Sequence, residues 1–361
     1  MPSLGLRFLD SEAVVECDSD RLWEALAYLY RPALVPVSAA APLRLQVSAA
    51  AGVRAISCGS TRQLAAPGAG ETLAEELIFT EIVTRVSTHW LLHAAALAGP
   101  HGGVLIVGES GAGKTTLALA LSRQGYQWLS DEVAAIDRTT GLLESFPRGV
   151  LIRPQTLCLL PELRERSQPW SLAGEETRFC WQPEIAHLKV PIRHVFILPT
   201  SAQTEPSRVA VSHLTPALTR RLATDPELAG ARVAASEGFV TLSWERVLSP
   251  GPLRRWAQAC QQENVLLLGT DTAPTARPSF EAPPRAEAIA PSAAWLSLAA
   301  AALNRPGGNT PQGGLFPFLK ELGAVLQDTV PISLRPGPLA ATVALVDSLC
   351  RGRGTTLPSE Y

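Results

Sequence analysis

Gly108-Glu-Ser-Gly-Ala-Gly-Lys-Thr-Thr116 decides how this chain is read, because it fits the spacing G-x-x-x-x-G-K-[S/T] in full. The apolar run Val104–Val107 precedes it, and the helix-forming run Leu117-Ala-Leu-Ala-Leu-Ser122 follows, closed by Gly125. A strand, a glycine-rich turn and a helix N-terminus in that order point backbone N–H groups inward around a pyrophosphate, and the helix dipole favours the negative charge. The motif therefore predicts that Gly108, Glu109, Ser110, Gly111, Ala112, Gly113, Lys114, Thr115 and Thr116 line the phosphates of ATP. The Lys114 ammonium reaches the β- and γ-phosphates, and the Thr115 hydroxyl is a ligand for Mg²⁺. Lysine is otherwise scarce: only Lys189 and Lys320 accompany Lys114, so lysine abundance does not explain the fit.

Phosphate loops serve kinases, ATPases, GTPases and transporters, and the next acidic group discriminates among them. Asp131 and Glu132 follow Lys114 by one helix and one strand, Tyr126–Ser130. Many ATPases place their metal-binding acid several elements further on. No NKxD-type guanine signature and no LSGGQ segment occur. Two adjacent acids at a strand end suit phosphoryl transfer, one holding the metal and one accepting a proton. On spacing alone a solvated pair of loop acids remains open beside that reading.

The run from Leu92 to Ile136, LHAAALAGPHGGVLIVGESGAGKTTLALALSRQGYQWLSDEVAAI, resembles the catalytic core of the HPr kinase/phosphorylase family. That pattern is a histidine opening a strand, a second strand leading into the loop, a short helix and a paired acid. The resemblance implies a phosphotransferase with an α/β fold of the HPr kinase and phosphoenolpyruvate carboxykinase type, a mixed sheet flanked by helices. It implies that His93 stands near the catalytic centre and that Asp131 takes the acceptor's hydroxyl proton. The metal would be held by Thr115 and Glu132. Phe146-Pro-Arg148-Gly-Val-Leu-Ile-Arg153-Pro resembles a further segment of the family, so Arg148 or Arg153 would neutralise charge on the phosphoryl group. The implied acceptor is the serine hydroxyl of a peptide or protein, as in relatives that tailor ribosomally made peptides, and homo-oligomers occur in the family. Without the resemblance, His93 on an apolar strand is more often a hydrogen-bonded core residue than a catalytic one. The sequence departs from the family in Glu132, where a second aspartate is usual, and in Thr115, where serine is usual. It also lacks the Arg-Gly-Leu-Gly-Ile segment of the bifunctional enzymes. Those departures suggest a divergent kinase without the phosphorylase activity. The other readings are a kinase for a small molecule, such as an amino acid or sugar, and a non-catalytic ATP-binding regulator.

Around this core the chain divides, on the Pro/Gly-rich stretch Ala66–Gly70, into an N-terminal α/β segment (1–65) and a kinase core (66–361) with a less regular insertion at about 200–284. Residues 5–17 alternate like one strand, and Asp18 or Ser19 caps a helix carrying Leu22, Trp23, Leu26 and Leu29. Leu43–Val47 and Val53–Ser57 read as strands, and Leu73, Leu77, Ile82, Val86 and Trp90 as one face of a long helix. Residues 91–98 read as a single strand. Hydrophobic residues at 46% of the 361 positions and charged residues at 18% describe a folded protein, and a net charge of −2 leaves no basic footprint for nucleic acid. The six cysteines include no CxxC pair, which predicts buried free thiols. No signal-like start and no span-length apolar run are found, so no membrane contact and a cytoplasmic location are expected.

Overall fold

The computed structural model describes all residues except 1, 49–51, 58–59, 63–70, 110, 171–177, 200–207, 212, 237–238, 245–254, 257–258, 261, 264, 266, 272–281, 305–314, 326 and 353–361. Ser110, the Ala66–Gly70 boundary and parts of the 200–284 insertion, 272–281 among them, fall outside the described residues. The fold is mixed α/β, built from two larger sheets and two smaller ones.

The N-terminal sheet contains β1 (Ser3–Phe8), β2 (Ser11–Cys17), β3 (Leu34–Val35), β4 (Leu43–Ser48), β5 (Gly52–Ser57) and β6 (Ser60–Arg62), in the order β3-β1-β2-β4-β5-β6. Residues 5–17 are thus a hairpin and not one strand. The chain reverses at Leu9, whose φ of 58° is left-handed. Asp10 holds the turn down, its carboxylate accepting hydrogen bonds from Ser87 Oγ (2.6 Å) and the Ser87 amide (3.1 Å). Helix α1 (Asp20–Leu29) begins as expected, with Ser19 Oγ accepting from the Leu22 amide at 3.2 Å. Helix α2 (Glu71–Val83) stops before Val86, and Trp90 lies on a strand, so the long helical face does not exist. The side chains of Ile78, Ile82 and Val83 join Leu6, Phe8, Leu26 and Leu45 in one core. Helix α2, grouped with the kinase core in the sequence reading, therefore packs with the N-terminal sheet.

The main sheet begins with β7 (His89–Leu92), β8 (Ala94–Gly99), β9 (Gly102–Val107), β10 (Gln127–Ser130), β11 (Ala134–Asp137) and β12 (Leu142–Glu144). A three-stranded sheet follows: β13 (Val150–Ile152), β14 (Ser167–Pro169) and β15 (Phe179–Trp181). The main sheet resumes with β16 (Lys189–Ile197). Next, β17 (Arg208–Val211), β18 (Arg232–Ser236), β19 (Phe239–Ser243) and β20 (Leu267–Asp271) form an antiparallel sheet. It has its own core of Val209, Leu218, Leu242, Trp244 and Trp256, which corrects the picture of an irregular insertion. Finally β21 (Arg285–Ala288) and β22 (Val330–Arg335) return to the main sheet.

The path β10-β8-β9-β16-β12-β11-β7 puts β7 at one edge and β8 next to the other, although only His93 separates them in sequence. The sheet therefore curls until its two ends are joined through His93. The expected strand 91–98 is two strands, broken where His93 leaves one ladder for the other, its amide bonded to the Ala301 carbonyl at 2.7 Å. Strand β16 runs parallel to β9 and β22; the remaining pairs along this path are antiparallel. Among the described residues, no helix is long and apolar enough to cross a membrane. Cys17, Cys180, Cys260 and Cys350 are buried free thiols as expected, whereas Cys158 is exposed.

Candidate functional site

Strand β9 delivers the chain into the loop, and helix α3 (Lys114–Ser122) takes it out. Gly111 (φ 82°) and Gly113 (φ 97°) occupy left-handed backbone, which a Cβ disfavours, and this explains the glycines of the motif. Gly113 is the N-cap of α3, and among the described residues no side chain caps that helix, which leaves its first-turn amides toward the loop.

Lys114 is buried, and its ammonium donates to Gly108 O at 2.8 Å and Glu109 O at 3.0 Å, with His93 Nε2 at 3.1 Å. An ammonium has three protons, so these acceptors use all of them. His93 must then accept through an unprotonated Nε2. Its electrostatics agree: burial, helped by the Lys114 charge, pushes its pKa down to about 4, so it is neutral at pH 7. Burial also lowers Lys114, to about 8, against the raising effect of Asp131, with Arg153 lowering it further. At neutral pH the amine keeps its proton but holds it less tightly than an exposed lysine.

The neighbouring hydroxyl, Thr115 Oγ1, lies 3.1 and 3.0 Å from the two Asp131 oxygens. Burial raises the Asp131 pKa, opposed by the Thr115 hydrogen bond and by the charges of Lys114 and Arg148. Thr116 turns away, its Oγ1 at 2.8 Å from that of Thr156 on helix α4 (Pro154–Leu159), so it offers the loop only its backbone.

Glu132 goes the other way. Its φ of 56° is left-handed for a residue that carries a Cβ, and the Asp131 carbonyl reaches across to the Val133 amide at 2.5 Å. That turn aims adjacent carboxylates at different partners. Glu132 pairs with Arg148, whose other terminal nitrogen donates to Glu75 at 2.9 Å, and Tyr30 donates to Glu75 at 2.5 Å. The Arg148 guanidinium lies 4.8 Å from the Phe79 ring centre. Burial alone would lower the Arg148 pKa, but the Glu75 charge, with Tyr30, outweighs it and raises the pKa, so the residue stays charged.

The structure thus sorts the candidates. It brings Lys114, Thr115, His93 and Asp131 together. It does not bring Arg148 to the loop, because its terminal nitrogens are committed to two carboxylates, the buried Glu75 and the partly exposed Glu132. Nor does it turn Glu132 toward Thr115, so Asp131 is the acid beside the hydroxyl that was expected to share a metal with Glu132. Of the two arginines, Arg153 is the one at the loop. A Cβ on Gly111 would come within 3.5 Å of its guanidinium. Sequence reasoning missed Tyr30, Glu75 and Thr156, which carry no local signal.

A hard cation takes oxygen ligands, and Thr115 Oγ1 with the Asp131 carboxylate supplies them side by side, so the residues present fit Mg²⁺. A cavity of about 240 Å³ lined by Gly99, Pro100, Tyr126 and Arg351 lies at the opposite end of β9 from the loop.

No protein-family model matches the chain, and no curated protein is significantly similar to it. Among solved structures, the HPr(Ser) kinase/phosphatase from Coxiella burnetii is similar at 18% identity, over 48% of this chain and 95% of that one, with a TM-score of 0.18. The functional reading therefore rests on the contacts of Lys114, Thr115, His93 and Asp131 themselves.

Proposed function

We propose that this protein is an ATP- and Mg²⁺-dependent phosphotransferase acting on a hydroxyl, the serine of a peptide or protein. The observation that carries the proposal is the pair of contacts at the start of α3: Lys114 on His93 and Thr115 on Asp131. A bound Mg²⁺ would neutralise charge on the phosphate oxygens. Thr115 and Asp131 are the residues to hold it.

Lys114 exchanges one of its three acceptors for a phosphate oxygen. The amides from Gly111 to Thr115 hold the β-phosphate, and Arg153 adds positive charge at Gly111. The acceptor oxygen forms a bond to the γ-phosphorus as the bridging P–O bond to ADP breaks, and the hydroxyl proton passes to Asp131. Burial raises the pKa of that carboxylate, which brings it nearer to the working pH of a proton acceptor. Such catalysis rests on positioning and electrostatics.

The Thr115–Asp131 contact also favours a second reading, in which Asp131 serves the metal and not the proton. The two readings separate in one experiment. Purified protein and the Asp131→Asn variant are incubated with γ-labelled ATP, Mg²⁺ and lysate of the source organism, and nucleotide affinity is measured with and without Mg²⁺. Loss of labelling with Mg²⁺-dependent affinity retained identifies the proton acceptor, and joint loss identifies the metal ligand. Label in the small-molecule fraction would reassign the acceptor. ATP binding with no Asp131-dependent label in either fraction would overturn the kinase reading in favour of a nucleotide-binding regulator.

A further inference from the structure

The curl of the main sheet assembles a second cluster that the phosphotransfer site does not use. In the β7–β11 ladder His89 stands opposite Asp137, in β11–β12 Glu144 stands opposite Ala135, and in β12–β16 Lys189 stands opposite Glu144. Directly opposed residues share a face, and so do residues two apart on one strand. His89, Asp137, Glu144 and Lys189 therefore project from the same face of four adjacent strands. One ligand-type atom from each of His89, Asp137 and Glu144 lies within 4.8 Å of the others.

His89 supplies the observation that points to a ligand. Its side chain is 7% exposed, and its Nε2, although buried, has no hydrogen-bond partner among the described residues. Nδ1 is occupied by Thr88 Oγ1 at 2.8 Å, an outer contact of the kind that orients a metal-binding imidazole. Nε2 faces Glu144 Oε1 at 3.5 Å. Two ligands held about 2.0–2.1 Å from a shared tetrahedral ion would be roughly 3.4 Å apart. The Asp137 carboxylate is also fixed: Oδ1 accepts from the Thr139 and Thr140 amides, both at 2.8 Å, and Oδ2 is left toward the cluster. Lys189, more than half exposed, pairs with Glu144 and lies 3.9 Å from Asp137.

We propose that His89, Asp137 and Glu144 form a binding site for Zn²⁺, with Lys189 as a displaceable counter-ion. One imidazole nitrogen with two carboxylates suits a first-row divalent ion better than Mg²⁺ or Ca²⁺, which take oxygen alone, and the absence of thiolate argues against Cu(I). Lys189 neutralises the carboxylates from solvent and swings out when the ion enters, which the buried His89 cannot do. The ion ties β7 to β11 and β12, and β7 runs directly into His93. The site is thus a staple on the strand that positions His93, separate from the phosphate loop.

The test is isothermal titration of the nucleotide-free full-length protein with ZnCl₂ in a non-chelating buffer, in the Thr115→Ala background so that the loop threonine contributes nothing. One Zn²⁺ per chain is expected, weakened about 100-fold or more by His89→Ala. Lys189→Met should strengthen binding by about 10-fold, because a competing charge is gone. Co²⁺ in place of Zn²⁺ should give d–d bands without sulfur-to-cobalt charge transfer, which separates this site from the free cysteines. Should His89→Ala fail to fold, the exposed Lys189 variant decides alone, since unchanged or weaker binding there overturns the proposal. Absence of stoichiometric binding, equal affinity after His89→Ala, or thiolate bands would each leave the cluster as a structural ion pair.

Discussion

Asp131 and Glu132 are neighbours in sequence, yet they belong to two regions built on different plans. Asp131 closes the phosphate-loop region, whose members His93, Lys114, Thr115 and Asp131 come from 39 consecutive residues (93–131). Glu132 opens a buried ionic cluster drawn from far along the chain: Tyr30 from the end of α1, Glu75 from α2 and Arg148 from beyond β12. The left-handed turn at Glu132 keeps the two networks from merging. On the proposed function the first exchanges partners, Lys114 giving up a carbonyl for a phosphate. The other joins the N-terminal sheet to the acid pair and has no partner to spare.

The largest expected effect breaks the second region. Arg148→Met strands the buried Glu75 carboxylate, with Glu132 partly exposed beside it, and leaving an uncompensated buried charge costs roughly 3–5 kcal/mol of stability. Chemical denaturation at neutral pH would measure it. Adding Glu75→Gln should return part of the loss, because the buried charge is then gone; no recovery would mean that Arg148 acts through packing on Phe79 and Tyr30 instead. Lys114→Met breaks the first region. On the proposed function, phosphoryl transfer should fall by roughly 10²–10³-fold, the usual loss for one charge-stabilising donor, with a smaller shift in denaturation midpoint than Arg148→Met gives. If the two variants lost stability and transfer in the same proportion, the networks would be a single unit.

The same contrast explains what could be read in advance. The loop, α3, β9 and the Ser19 cap follow from spacing within a short segment, where glycine conformation and helix chemistry leave few alternatives, whereas the contact of His93 with Lys114 is visible only in the structure. The fate of Glu132 and Arg148 does not follow either, because it depends on Glu75 arriving from a helix whose sequence does not single out that residue. Smaller misses have local causes. Leu91–Ala98 is apolar on both sides of His93, so periodicity could not reveal the break there. The β1–β2 turn at Leu9-Asp10 carries neither glycine nor asparagine, the usual marks of a reversal. Val86 and Trp90 continue helical spacing by coincidence after α2 has ended. The sheet from Arg208 to Asp271 has strands of only four or five residues, too short for alternation to stand out.

The smallest effect sharpens the comparison by testing whether His93 belongs to the loop region electrostatically as well as geometrically. Burial and the Lys114 charge lower its pKa from the ordinary 6.5 to about 4. Between those values the unfolded chain binds a proton that the folded chain refuses, so stability is full above about 6.5 and falls as pH drops toward 4. The contribution lost between pH 7 and pH 5 is on the order of 1–2 kcal/mol for a mostly buried group. Asp131 works in the opposite sense: its raised pKa makes folding take up a proton as the pH falls, which masks part of the trend. A single acid denaturation curve therefore cannot isolate His93. His93→Gln can, because the amide oxygen still accepts from Lys114 and does not titrate. Urea unfolding of both proteins at pH 7 and pH 5 gives the difference: the variant should lose less stability on acidification than the parent. Parallel losses would mean that neither burial nor the Lys114 charge, 3.1 Å away, holds the His93 proton off in the folded chain.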